Sequence, residues 1–176
     1  DTDILFTQGT HTGKRALQLR GEIDSMIPVG SLFLEHYLSH VVHDNKDNEK
    51  EFDVLMLGIN KSMFSRSDSY EEFLADYYEP IRWLVRFKKE YSNYKVAIIH
   101  HSSAVDDSFE REIVAASGVE YVDKYANSYA AAFRSRCAVT YGSTMGYEMI
   151  GDGIPVFFFD RGNRNTFLPE KDDQLI

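Results

Sequence analysis

Two groups of polar residues stand directly after apolar runs of this chain, and both are suited to binding a phosphate. In the first, Gly142, Ser143 and Thr144 follow the run that begins at Cys137, and Glu148 comes about one helical turn later. N–H groups and hydroxyls at the start of a helix bind an anion without a basic residue, because the helix dipole favours negative charge there. The pattern predicts a phosphate site with Glu148 close to a ribose or sugar hydroxyl. The structural alternative is that Ser143 only caps the helix and Glu148 is solvated.

The second group is the histidine pair His100 and His101, which follows the apolar run KVAII. Adjacent residues of an extended chain point to opposite faces, so the two are a poor pair of metal ligands and only one is expected to face a ligand. An imidazole at the end of a strand can give a phosphate a hydrogen bond or a positive charge. The alternative is a capping or partly buried histidine.

Other motifs are weaker. Arg164 stands in a polar loop after the last apolar run, where it would contact a diphosphate or a sugar, and a solvated loop is an equal alternative. A nucleophile elbow needs a serine where Thr144 stands, which argues against a serine hydrolase. The dinucleotide pattern G-x-G-x-x-G does not occur in the chain.

Apolar runs alternate with helical patterns along the chain, which predicts an α/β fold with a mostly parallel sheet in a Rossmann-like three-layer sandwich. Ligands bind beyond the carboxyl ends of the strands of such sheets, so both polar groups are expected at one edge. The length of 176 residues suits a single domain, residues 1–176. Ser69 and Glu72 predict a capping box at the start of the longest helix. Candidate strands are 3–7, 24–29, 52–57, 95–100, 119–122, 137–141 and 155–160, and the main candidate helices are 32–40, 70–91, 109–117 and 128–135.

Composition excludes some classes of function. The chain has 28 acidic and 19 basic residues, a net charge of −9, which argues against binding to nucleic acid. Cys137 is the only cysteine, so an intrachain disulfide is impossible, and neither a metal site nor a cofactor is expected. No apolar run is long enough to span a bilayer and no signal peptide opens the sequence, which favours a cytoplasmic protein.

The motifs together resemble the C-terminal, nucleotide-sugar-binding domain of GT-B glycosyltransferases that build bacterial surface polysaccharides, in the style of sialyltransferases, Kdo transferases and CDP-glycerol transferases. On this resemblance His101 in YKVAIIHHSS is the family's histidine, and YGSTMGYE supplies the small hydroxyl motif and Glu148. Gly30 and Ser31 in IPVGSLFLE resemble the glycine–serine turn that opens the domain. The sequence departs from the family at Ser102, where a proline is usual.

The resemblance implies one half of a GT-B fold within a longer two-domain protein, in which this chain alone is inactive. His101, Ser143 and Thr144 would hold the phosphate of a nucleotide-sugar donor and stabilise the leaving nucleotide, while Glu148 orients the ribose. The acceptor, a glycan or a lipid-linked sugar, would bind through an N-terminal domain at the inner face of the membrane, and no general base is nominated. A non-catalytic nucleotide-binding, carbohydrate-binding or scaffold module and a sugar-nucleotide epimerase-like domain stay open as alternatives.

Overall fold

The computed structural model describes residues 2–7, 14, 23–40, 50–61, 69–101, 104, 106–123 and 126–159. By their contacts the residues divide into two compact units, 1–47 and 48–176. That the whole chain is one domain stays a prediction. Within the described residues no helix is both long and apolar enough to cross a membrane.

The described residues of the first unit include two parallel strands and the helix that follows them. Strand β1 (Thr2–Thr7) pairs with β2 (Ile23–Pro28), and helix α1 (Leu32–His40) follows them. Parallel strands cannot be joined by a tight turn, so the chain needs a long connection between the two.

The second unit contains a sheet of five strands, all parallel, in the order β5-β4-β3-β6-β7. Helices flank the sheet, which confirms the predicted α/β fold of the Rossmann-like, three-layer type. The elements are β3 (Phe52–Leu57), α2 (Tyr70–Glu90), β4 (Val96–Ile99), α3 (Ser108–Val114), β5 (Glu120–Val122), α4 (Ser128–Phe133), β6 (Ser135–Thr140), α5 (Thr144–Gly151) and β7 (Val156–Phe158).

The central strand β3 shows why the fold has three layers. Successive side chains of a strand point to opposite faces, and β3 is apolar on both. Val54 and Met56 belong to a core cluster formed with α2 and α3, whereas Leu55 and Leu57 belong to a second cluster formed with α4 and α5. Each face of the sheet is therefore covered by its own helical layer.

The longest helix, α2, buries the apolar face that its spacing predicts, including Phe73, Tyr77 and Ile81. The predicted capping box at its start is wrong. Ser69 has φ −99° and ψ 21°, outside the extended region that a capping residue adopts, and its side chain makes no capping hydrogen bond. Burial of Phe73 in the core contributes to the stability of this end of the helix.

Candidate functional site

The strand order reverses at β3, which has β4 on one side and β6 on the other. At such a point the connections leave for opposite faces of the sheet, and a crevice opens beyond the carboxyl ends of the strands. A cavity of about 460 Å³ lies there. Its walls come from the ends of β3 and β4, the segment before α4, and the starts of α4 and α5. The lining residues are Leu57, Gly58, Ile99, His100, His101, Ala126, Asn127, Ser128, Tyr129, Ser143, Thr144, Met145 and Glu148.

Four of the residues nominated from the sequence, His101, Ser143, Thr144 and Glu148, line this cavity together. Ser143 occupies the capping position of α5, with φ −71° and ψ 132°, but its hydroxyl makes no capping hydrogen bond. The alternative in which Ser143 merely caps the helix therefore does not describe its side chain. The cavity instead offers the hydroxyls of Ser143 and Thr144 at the N-terminus of an eight-residue helix.

The turn before α5 is held by Thr140, a residue that was not nominated from the sequence. The fully buried Thr140 hydroxyl donates to the Leu57 carbonyl of β3 at 2.9 Å. It also accepts hydrogen bonds from the N–H groups of Gly142 at 3.2 Å and Ser143 at 3.0 Å. These two N–H groups are therefore engaged within the protein, and Gly142 supports the turn instead of lining the cavity.

Replacing Thr140 by valine is expected to lower the free energy of unfolding by about 1–3 kcal/mol. The side chain keeps its shape, but the Leu57 carbonyl loses a donor and the partly buried N–H groups of Gly142 and Ser143 lose their acceptor. Urea denaturation followed by circular dichroism measures the loss. Thr140→Ser retains the hydroxyl and is the matched control, which should cost less. A valine variant as stable as the serine variant would contradict this role for the hydroxyl.

Glu148 is held in place by a phenol. The Tyr129 hydroxyl donates to Oε2 of Glu148 at 2.8 Å, and both half-buried side chains line the cavity. Tyr129 lies in the first turn of α4 and Glu148 lies in α5, so the bond also joins these two helices. The carboxylate is thus fixed in direction before any ligand arrives.

The two histidines differ from expectation, because both His100 and His101 line the cavity. Strand β4 ends at Ile99, so the strict alternation of an extended strand does not extend to this pair. His101 is exposed. His100 is partly buried, stacks on Tyr121 with 5.6 Å between ring centroids, and places Nε2 at 2.8 Å from Oε1 of Glu110.

Glu110 is a functional candidate that the sequence did not reveal. Its side chain is 1% exposed, although it lies on a short, charged helix. It accepts hydrogen bonds from the hydroxyls of Tyr121 at 3.2 Å and Tyr77 at 3.4 Å, in addition to its contact with His100. We call these four residues the Glu110 cluster. Burial and then the negative charge of Glu110 raise the pKa of Tyr77 far above its usual range.

Asp107 fixes the helix that carries Glu110. Its Oδ1 accepts from the N–H groups of Phe109 at 3.0 Å and Glu110 at 3.1 Å, which caps α3. Its Oδ2 accepts from the Tyr78 hydroxyl at 2.6 Å and pairs with Lys61. Burial lowers the pKa of Lys61, and the charge of Glu110 partly offsets this effect. A cation is thus held beside the Glu110 cluster.

The remaining nominated residues lie elsewhere. Gly30 has φ +78°, the left-handed conformation that favours glycine, and the Ser31 hydroxyl accepts from the Leu34 N–H at 3.2 Å at the start of α1. Both belong to the first unit, where they form the turn and cap of that helix. Arg164 lies outside the described residues.

The cavity thus combines hydroxyl, imidazole, phenol and carboxylate groups at the reversal of strand order. In the described part of the chain, no three His, Cys, Asp or Glu side chains are grouped so as to hold a metal ion. Comparison with known proteins finds no match among family models, curated proteins or solved structures.

Proposed function

We propose that the chain is the donor-binding domain of a GT-B glycosyltransferase and that the cavity receives the nucleotide of a nucleotide-sugar. The observation that carries the proposal is the convergence of His101, Ser143, Thr144 and Glu148 on one cavity at the reversal of strand order. Open parallel sheets bind nucleotides at this place. The cavity volume of about 460 Å³ also falls within the range of small-molecule sites.

Each group has a role that its chemistry suits. The hydroxyls of Ser143 and Thr144, with the positive end of the α5 dipole, bind the phosphate, and His101 gives it a further hydrogen bond. Glu148, already oriented by Tyr129, accepts a hydrogen bond from a ribose hydroxyl. Negative charge grows on the leaving phosphate as the glycosidic bond breaks, so donors placed there favour the transition state over the bound donor.

The proposal extends to the rest of the reaction through the resemblance. The acceptor, a glycan or a lipid-linked sugar, binds through a second domain, on the cytoplasmic side of a membrane. Product analysis of a longer parent protein would distinguish the alternatives. A transferase needs the acceptor, an epimerase changes the donor alone, and a binding module changes neither.

The test is titration calorimetry of CMP, CDP, UDP, GDP and ADP against the chain and its His101→Ala and Ser143→Ala variants. We expect one nucleotide to bind selectively and each variant to weaken its binding by about tenfold or more, which corresponds to about 1.4 kcal/mol. His36→Ala, which removes an exposed histidine of α1, is the matched control and should bind as the wild type does. Failure of every nucleotide to bind, or unchanged affinity in both site variants, would overturn the proposal.

A further inference from the structure

We infer that His100 and Glu110 form an acid–base pair in which Nδ1 of His100 carries a proton to the phosphate of the ligand in the cavity. The inference rests on the proposed function, because it assigns His100 a role toward the same phosphate-bearing ligand. It adds a second histidine to the site, with a different task from that of His101. His101 is exposed, whereas Nε2 of His100 contacts the buried carboxylate of Glu110.

The contact with Glu110 determines which nitrogen of His100 is available. Nε2 lies 2.8 Å from Oε1 of Glu110, and an ionised carboxylate only accepts hydrogen bonds. Nε2 therefore carries a hydrogen in both the neutral and the protonated imidazole. Nδ1 is consequently the nitrogen that takes up and releases the second proton.

Gly58 shows where Nδ1 lies. A Cβ atom added to Gly58 would stand 2.9 Å from Nδ1 of His100, closer than side chains normally approach. Gly58 follows β3 directly, and both Gly58 and His100 line the cavity. The absence of a side chain at this position lets the Nδ1 edge of the ring lie against Gly58, a residue of the cavity wall.

The Glu110 cluster gives the pair its stability. A buried carboxylate is costly unless donors surround it, and Glu110 has Tyr77 of α2 and Tyr121 of β5 besides His100. The arrangement matches the catalytic pattern in which a buried carboxylate orients a histidine and stabilises its positive charge.

Other charged groups complete the surroundings of the pair. Lys61 lies near Glu110 beyond the end of β3. A second cavity of about 350 Å³ lies beside His100 and Glu110, and its wall includes Asp106, Asp107 and Arg111 at the start of α3.

In the proposed step the imidazolium donates from Nδ1 to a phosphate oxygen, and the proton passes to that oxygen as the nucleotide leaves. His100 becomes neutral with its hydrogen on Nε2, and Glu110 stays ionised throughout. The proton lost by the ring is the one gained by the phosphate. Water returns a proton to Nδ1 after the nucleotide has left, and the step needs no other reactant.

The test is NMR of the chain with ¹⁵N-labelled histidine, with the His100 signals assigned through His100→Gln and, by elimination, through His101→Gln and His36→Gln. In the free protein at high pH we expect the neutral ring to carry its hydrogen on Nε2. Adding CMP, CDP, UDP, GDP or ADP should, for the nucleotide that binds, move the Nδ1 signal toward its protonated position. Glu110→Gln should reduce this movement of the Nδ1 signal, because the variant lacks the carboxylate that orients the ring.

The outcomes separate this inference from the proposed function. A neutral ring with its hydrogen on Nδ1 would overturn the pair, and this measurement needs only the wild-type chain even where Glu110→Gln does not fold. A nucleotide that binds without changing Nδ1 would overturn the role of His100 and leave the proposed function standing. If no nucleotide binds, the proposed function fails and the inference fails with it.

Discussion

Replacing Glu110 by alanine is expected to lower the free energy of unfolding by about 3–5 kcal/mol. The substitution leaves the Tyr77 and Tyr121 hydroxyls and Nε2 of His100 without their buried acceptor. It also removes the negative charge that partly offsets the burial of Lys61, and it opens a void where the carboxylate was packed. Guanidinium denaturation followed by circular dichroism gives the change.

Glu112→Ala is the matched control, because Glu112 lies on the same helix and is exposed. Its effect should stay within about 0.5 kcal/mol, as for other surface substitutions. Glu110→Gln keeps the shape and one accepting oxygen, so it should fall between the two alanine variants. A Glu110→Ala variant that loses no more than the Glu112→Ala variant would show that the cluster contributes nothing to stability.

Stability is also expected to fall steeply above about pH 10, the ordinary pKa of tyrosine. Burial, followed by the charge of Glu110, raises the pKa of the fully buried Tyr77, so the folded chain keeps a proton that the unfolded chain releases. The contribution is fully present below pH 10 and is lost as the pH rises toward the folded-state pKa. One such tyrosine gives a slope of about 1.4 kcal/mol per pH unit. Burial and Glu110 also raise the pKa of Tyr121, which acts in the same direction.

Denaturation at a series of pH values between 8 and 12 measures the slope, and tyrosinate absorbance reports when each state ionises. Tyr77→Phe removes one of the titrating groups and should make the fall in stability above pH 10 less steep. Tyr94→Phe, at an exposed position near the end of α2, is the matched control and should leave the slope as in the wild type. Identical slopes in the wild type and Tyr77→Phe would contradict the assignment.

Most of the fold could be predicted from the sequence, because apolar runs and helical spacing are local signals. Every predicted strand is present, with small shifts at the ends. The sequence predicts that α4 continues to residue 135, because a serine does not indicate the start of a buried strand. Strand β6 nevertheless begins at Ser135, which is fully buried. Its hydroxyl donates to the Ala132 carbonyl at 2.5 Å, a bond that hydropathy cannot show.

Only some of the residues that line the candidate site could be predicted from local signals in the sequence. His101, Ser143 and Thr144 could be found because each stands at the end of a strand or the start of a helix. Glu110 was missed because its partners are remote, with Tyr77 lying 33 residues away in sequence. One local signal was present: Glu110 is spaced four residues from the buried Val114, which places both on the inward face of α3.

The pairing of β3 with β6 has a consequence for how the chain folds. Of the strand pairings in the five-stranded sheet, it joins the two strands that lie furthest apart in sequence, and the Thr140 hydroxyl reaches a carbonyl 83 residues earlier. Contacts of such long range form slowly, because closing a long loop costs chain entropy before the contact itself stabilises the fold. The cavity lies across this seam, so a partly folded chain has no place for a ligand. During synthesis, binding of any ligand in this cavity would therefore begin only after β6 has left the ribosome and paired with β3.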